Sequence, residues 1–323
     1  MPPSTDLRRA VAVWLSDGKA QGWSPRTLRD RETAMERFCW WLENEAEVSA
    51  TLAALSPLQI RAFLAYAREP RPEGRYGTDH PRARDAARPA TIHAYFRILR
   101  AFANFCLAEG LMEETPLRNV KAPRVPTDQV QPFAQEQLQA LLDAARRSRN
   151  PERDVALILL LVDSGMRASE VMGLTIGDAD RGTGELTVTG KGNKKRAVYM
   201  GQAARRALWR YLETERRDAS PAEPLFASTG GHRPGEAFTN TGIRLIVANA
   251  GKAAKITGIR CSPHTLRHTF AVTFLRNGGN LFELQQLMGH TDLTVLRRYV
   301  ALAEADLAQA HRQASPADRL KLK

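Results

Sequence analysis

The stretch SPHTLRH, residues 262 to 268, sets two histidines and an arginine within five positions. His264, Arg267 and His268 stand at i, i+3 and i+4, the spacing that shares one face of a helix. Ser262 followed by Pro263 supplies a cap and a first-turn residue, so a helix is expected to begin there. A pair of helical histidines can hold zinc, but the zinc-hydrolase pattern puts a glutamate after the first one, and here that place is Thr265. Arg267 would stand beside the dication, and no carboxylate in the helix completes a ligand set. Phosphate suits these residues better. A helix start offers unpaired N–H groups and the positive end of the dipole, and Arg267 adds a permanently charged fork of matching geometry. The stretch reads as an anion cradle, in which His264 can donate a hydrogen bond or take a proton and His268 packs as a structural residue.

Four other places carry matching chemistry. DSGMRASEVMGL puts Arg167 where an apolar run stops, with Glu170 three residues on, either to orient it or to form an ordinary exposed ion pair. GKGNKK offers Lys191 between glycines that let a ligand approach the backbone, although in isolation it is a solvated turn. LMGH leaves His290 at a helix break after Gly289. RRYV then places Tyr299 nine residues further on, beside Arg297 and Arg298, where a lone tyrosine would ordinarily be packing.

Taken in order, these residues resemble the tyrosine recombinase (phage-type integrase) family, and most closely its short, two-domain Xer-like members. The frame around them is similar too, in LLLVDSGMRASEVMGL, VTGKGNKKRAVYM and SPHTLRHTFAVTFLRNGGNLFELQQLMGHTDLTVLRRYV. The earlier SPRTLRDRETAMERFCWWL is similar to the family's SAM-like helical core-binding domain. The resemblance implies an active-site set of Arg167, Lys191, His264, Arg267, His290 and the nucleophile Tyr299, with Glu170 behind the first arginine. Lys194 and Lys195 share the hairpin with Lys191, which holds the Gly-Lys-Gly slot. The implied activity is site-specific cleavage and rejoining of DNA strands through a 3′-phosphotyrosyl linkage, with no cofactor and no metal. The absence of a G-x-x-x-x-G-K-[ST] loop and of clustered carboxylates agrees with this.

In that chemistry the two arginines stabilise the extra charge of a pentavalent phosphorus, and Lys191 protonates the departing 5′ oxygen. Tyr299, with an ordinary pKa of about 10, needs a cationic surrounding or a base such as His264 to attack at neutral pH. The implied partners are a double-stranded target site and a homo-tetramer on paired sites, or a paralogous recombinase. Two rivals remain open: type IB topoisomerase-like relaxation, and a catalytically silent DNA-binding accessory protein.

The elements that must position these groups are mostly helices. SPRTLRDRETAMERFCWWLENE and SPLQIRAFLAYARE each open on a Ser-Pro pair, and RPATIHAYFRILRAFANFCLAEG is a long amphipathic segment ending near Gly110. Between the last two runs a loop rich in Pro, Gly and Arg carries Arg71, Arg75, Arg82, Arg84 and Arg88, which either touch phosphates or form a solvated run. A proline-rich stretch containing Lys121 and Arg124 reads as a linker. Two helices follow, the second nearly all apolar. Next comes a hairpin around GKGNKK, and helices are expected from there to the end. The expected fold is mainly α, a helical core DNA-binding domain over residues 1–120, a linker over 121–133 and a mixed helical catalytic domain with a small antiparallel sheet over 134–323. Its C-terminal tail, with Leu302, Leu307 and Ala310, either docks on a neighbouring protomer as an oligomerisation element or folds back.

Bulk properties agree with a nucleic-acid partner: 323 residues, a formal net charge of +12 and a sequence pI near 10.0. Cys39, Cys106 and Cys261 are scattered and odd in number, which argues against a disulfide framework. Neither a signal-peptide pattern nor a membrane-length apolar run is present, so a cytoplasmic protein without membrane contact is expected.

Overall fold

A computed structural model describes residues 6–78, 80–126, 131–190, 195–229, 235–289, 299 and 315, the side chain of Arg82 excepted. The chain divides into two units, residues 1–128 and 129–323.

The first unit holds α1 (Leu7–Ala20), α2 (Pro25–Asn44), α3 (Pro57–Tyr66), the short α4 (Pro81–Arg84) and α5 (Pro89–Ala108). Side-chain caps start three of them: Asp6 accepts from the Arg9 N–H at 3.0 Å, Ser24 from Thr27 at 3.1 Å and Ser56 from Gln59 at 3.2 Å. Prolines at the first turn of α2, α3 and α5 need no N–H partner there. Helix α1 lacks that signal but buries Leu7, Ala10, Val11 and Trp14 at helical spacing. The core is aromatic, with Phe38 edge-on to Phe63 at 5.2 Å and Tyr95 5.4 Å from Phe63.

The arginine-rich loop between α3 and α5 corrects the expectation for Arg75, which neither faces solvent nor is open to a phosphate. It is 3% exposed. Its guanidinium donates to the carbonyls of Ala67 (2.6 Å), Glu69 (3.3 Å), Ala83 (3.1 Å) and Asp85, so one side chain gathers a loop that has little regular structure of its own. Arg71 lies 4.6 Å from the Tyr66 ring and pairs with Glu69 at 3.2 Å, whereas Arg84 and Arg88 are exposed. Arg75→Met keeps most of the volume but takes a donor from four carbonyls, of which Ala67 keeps the Ala87 N–H. A loss of about 3 kcal/mol or more is expected, read as a lower melting temperature, with Arg84→Met leaving it unchanged.

The linker segment is tied at both described ends. The Pro123 carbonyl is 2.9 Å from His93 Nδ1, within the first unit, and the Phe133 N–H donates to Thr269 Oγ1 at 2.9 Å, within the second. Lys121 and Arg124 are exposed.

The second unit contains α6 (Gln135–Arg146), α7 (Pro151–Ser164), α8 (Ala168–Met172), strands β1 (Glu185–Thr189) and β2 (Lys195–Tyr199), α9 (Gln202–Glu215), α10 (Asn240–Ala253), α11 (Pro263–Arg276) and α12 (Leu281–Met288). Helix α7 is the centre: Ala156, Leu157, Ile158, Leu160 and Leu161 are fully buried, and α6, α9 and α11 pack around it. The strands pair antiparallel with Leu186 opposite Val198 and Val188 opposite Arg196. Leu186, Val188 and Val198 point into the core. The alternation therefore turns Arg196 to the same inward face. The hairpin tip with Lys191 and Lys194, residue His290 and the tail with Leu302, Leu307 and Ala310 lie outside the described residues. Among the described residues no helix is long and apolar enough to cross a membrane.

Candidate active site

Helix α7 ends at Ser164, and Gly165 takes a left-handed conformation with φ 61°. A Cβ there would sit 2.2 Å from the Phe270 ring, so the turn that redirects the chain toward Arg167 requires glycine on both counts. Arg167 then caps α8. Its backbone N–H donates to Glu170 Oε2 at 2.8 Å, and its Nη1 donates to Glu170 Oε1 at 2.9 Å. Glu170 is buried, so this is not the exposed ion pair that the spacing alone allowed.

The far end of the site comes from α11. Ser262 caps it, accepting from the Thr265 N–H at 3.2 Å, and Pro263 fills the first turn, as the local residues dictate. Arg267 is 4% exposed and spans two carbonyls: Nη1 donates to Gly165, and Nη2 to Met288 at 2.8 Å. Arg167 Nη1 also reaches the Met288 carbonyl, at 3.4 Å. Two guanidiniums 100 residues apart thus meet on one oxygen at the end of α12. Burial pushes the Arg267 guanidinium down to about 10, the charge of Arg167 adds to that, and Glu170 and Tyr299 pull the other way. It stays cationic at neutral pH.

Helix α12 stops at Gly289, again left-handed at φ 61°, directly before His290. His264 is exposed at the start of α11, and its Nε2 lies 2.9 Å from His268 Nε2. One of the two must donate and the other accept. His268 is buried and tilts its ring against Tyr299, with centroids 5.1 Å apart. Tyr299 itself is helical and 2% exposed, packed with Ala271, Val272, Leu284 and Met288. The structural role expected of His268 therefore comes with a second feature: it stands between His264 and the tyrosine.

The described residues thus bring together Arg167, Glu170, His264, Arg267, His268 and Tyr299. Lys191 and His290 lie outside them. Arg196 on β2 is part of the cluster and was missed. Its Nη1 and Nη2 donate to the two oxygens of Glu170 at 3.0 Å each, and its Nε donates to the Leu287 carbonyl at 3.0 Å. Strand alternation held the signal, since a charge on the inward face beside Val198 needs a buried partner. Burial alone would raise the Glu170 carboxyl. The hydrogen bonds from Arg196 and from the Arg167 N–H, with the charges of both arginines, outweigh it and hold the group below the usual carboxylate range.

Such a cluster can bind a dianionic or strongly polarised phosphoryl group and hold cationic charge beside a phenol. Residues 131–306 match the phage integrase family, and the chain belongs to that family of tyrosine recombinases. It is 30% identical over 322 residues to the tyrosine recombinase XerC of Pelobacter propionicus, covering 99% of this chain and 98% of that protein. It is 31% identical over 310 residues to the tyrosine recombinase XerD of Pseudomonas aeruginosa, covering 94% and 95%. The fold is that of the Tn1549 transposon integrase in complex with transposon right end DNA, at a TM-score of 0.72 and 19% identity over 94% of this chain and 98% of that one.

Proposed function

We propose that this chain is a site-specific DNA recombinase that cuts and rejoins strands with Tyr299 as the nucleophile. The observation that carries the reading is the meeting of Arg167 and Arg267 on the Met288 carbonyl, with His268 joining His264 to the Tyr299 ring. Arg167, whose side chain is 40% exposed, offers the accessible fork for a non-bridging phosphate oxygen. Arg267 adds its charge from the buried side.

Tyr299 Oη attacks phosphorus, the bond from phosphorus to the 5′ oxygen breaks, and a 3′-phosphotyrosyl ester forms. The phenolic proton passes to His264, and Lys191 gives a proton to the departing 5′ oxygen. His290 donates a hydrogen bond to the phosphate. Because the ester is retained, a 5′-hydroxyl from another strand reverses the step without an external energy source. Tyr299 is packed away from solvent. Its phenol must therefore gain access to the phosphate when DNA binds.

The partners are a double-stranded target site and further copies of the chain, as a tetramer on paired sites, or a paralogous recombinase. In this scheme residues 1–120 form the core DNA-binding domain, residues 134–323 the catalytic domain, and the tail an oligomerisation element. The protein works in the cytoplasm. Phosphate contacts supply most of the affinity and make it fall with salt.

A plasmid with two copies of a duplex selected for binding from a random pool tests the function. Resolution into two circles is expected, with no change in supercoiling of a plasmid lacking the site. Efficient relaxation of the site-free plasmid would favour the topoisomerase-like rival. Tight binding without any covalent adduct would favour the silent accessory protein.

A further inference from the structure

We propose that Arg196, resting on the recombinase reading above, is a positioning residue for cleavage that locks Arg167 and the end of α12 into one rigid unit through Glu170. Arg196 is 16% exposed and engages three groups: both oxygens of Glu170 and the Leu287 carbonyl. Glu170 passes the constraint on, since the same two oxygens accept from the backbone and the guanidinium of Arg167. At α12 the neighbouring Met288 carbonyl accepts from Arg167 and Arg267. The guanidinium of Arg196 also lies against Gly289, where an added Cβ would come within 3.2 Å of it. Three arginines therefore grip two successive carbonyls just ahead of His290. Arg196 also begins one residue after Lys195, on the strand that leads back from the Lys191 tip. One side chain thus ties the hairpin, the first active-site arginine and the helix end before His290 together.

The charge of Glu170 is what makes this lock work, and every charged group facing it among the described residues is cationic: Arg167 from the start of α8, Arg196 from β2 and Arg267 from α11. Its carboxyl is held below the usual carboxylate range, so it is ionised throughout the neutral region. With Arg196 gone, burial opposes the charge with less to offset it, and the carboxyl rises. The ionised form is then lost as pH falls, at a higher pH than before.

Single-turnover adduct formation on a nicked duplex, followed against pH, tests the proposal with Arg196→Gln and Arg196→Lys. Arg196→Gln is expected to cleave roughly 10²-fold more slowly, with unchanged DNA affinity and an acid-side fall moved to higher pH. Arg196→Lys keeps the charge but not the three-way contact, so its rate should fall while its pH profile stays near wild type. Carboxyl titration of Glu170 by ¹³C NMR, which needs no DNA, should show the same upward move in Arg196→Gln alone. A wild-type rate and profile in Arg196→Gln would overturn the proposal. If that variant does not fold, a wild-type rate in Arg196→Lys overturns it. A wild-type protein that forms no adduct at any pH would count instead against the recombinase reading.

Discussion

Replacing Tyr299 with phenylalanine is expected to abolish the covalent protein–DNA adduct while leaving the fold and DNA affinity intact. The substitution removes one oxygen from a ring packed among Ala271, Val272, Leu284 and Met288, so the apolar contacts survive. Phenylalanine offers no nucleophile, and water cannot supply a protein-linked ester. A fall of at least about 10⁴-fold in adduct formation is expected, measured on a nicked suicide duplex by a denaturing gel. Binding of the same duplex, measured by fluorescence anisotropy, should be unchanged. Adduct at the wild-type level in Tyr299→Phe would remove the nucleophile assignment.

Arg267→Lys should have the next largest effect, for a reason that conservative charge does not repair. The guanidinium spans the carbonyls of Gly165 and Met288 from a buried position, and a lysine ammonium cannot reproduce that fork. The substitution leaves at least one buried carbonyl without its donor, and the ammonium is no longer held where the fork fixes the guanidinium charge. Adduct formation should drop roughly 10²- to 10³-fold, and stability should fall by about 1–3 kcal/mol. Thermal unfolding separates the two effects, since the kinetic loss should persist well below the variant's melting temperature. A variant that cleaves as fast as wild type once folded would show that Arg267 serves the fold alone.

Helix starts were legible in the sequence because their signals are local. Ser24-Pro25, Ser56-Pro57 and Ser262-Pro263 each cap the helix that follows, and a hydroxyl three residues from an N–H needs nothing distant to find it. The apolar run of α7 announced its own burial for the same reason. The meeting of Arg167, Arg267 and Tyr299 came from the resemblance to a family, not from spacing, which cannot show that residues so far apart share a carbonyl. Arg75 and Arg196 mark where residue type misleads. Both are arginines in basic stretches, yet each is turned inward by its surroundings, one by a loop that closes around it and one by strand alternation. Their partners lie 6 to 91 residues away in the chain and are fixed by tertiary approach alone.

Tyr299 as the nucleophile is tested most directly by identifying the amino acid that carries the DNA. Proteolysis and nuclease digestion of the wild-type adduct, followed by mass spectrometry, would locate the phosphotyrosyl ester among the six tyrosines of the chain. The nucleotide remnant is expected on Tyr299 and nowhere else. A remnant on exposed Tyr199, or on any other residue, would contradict it.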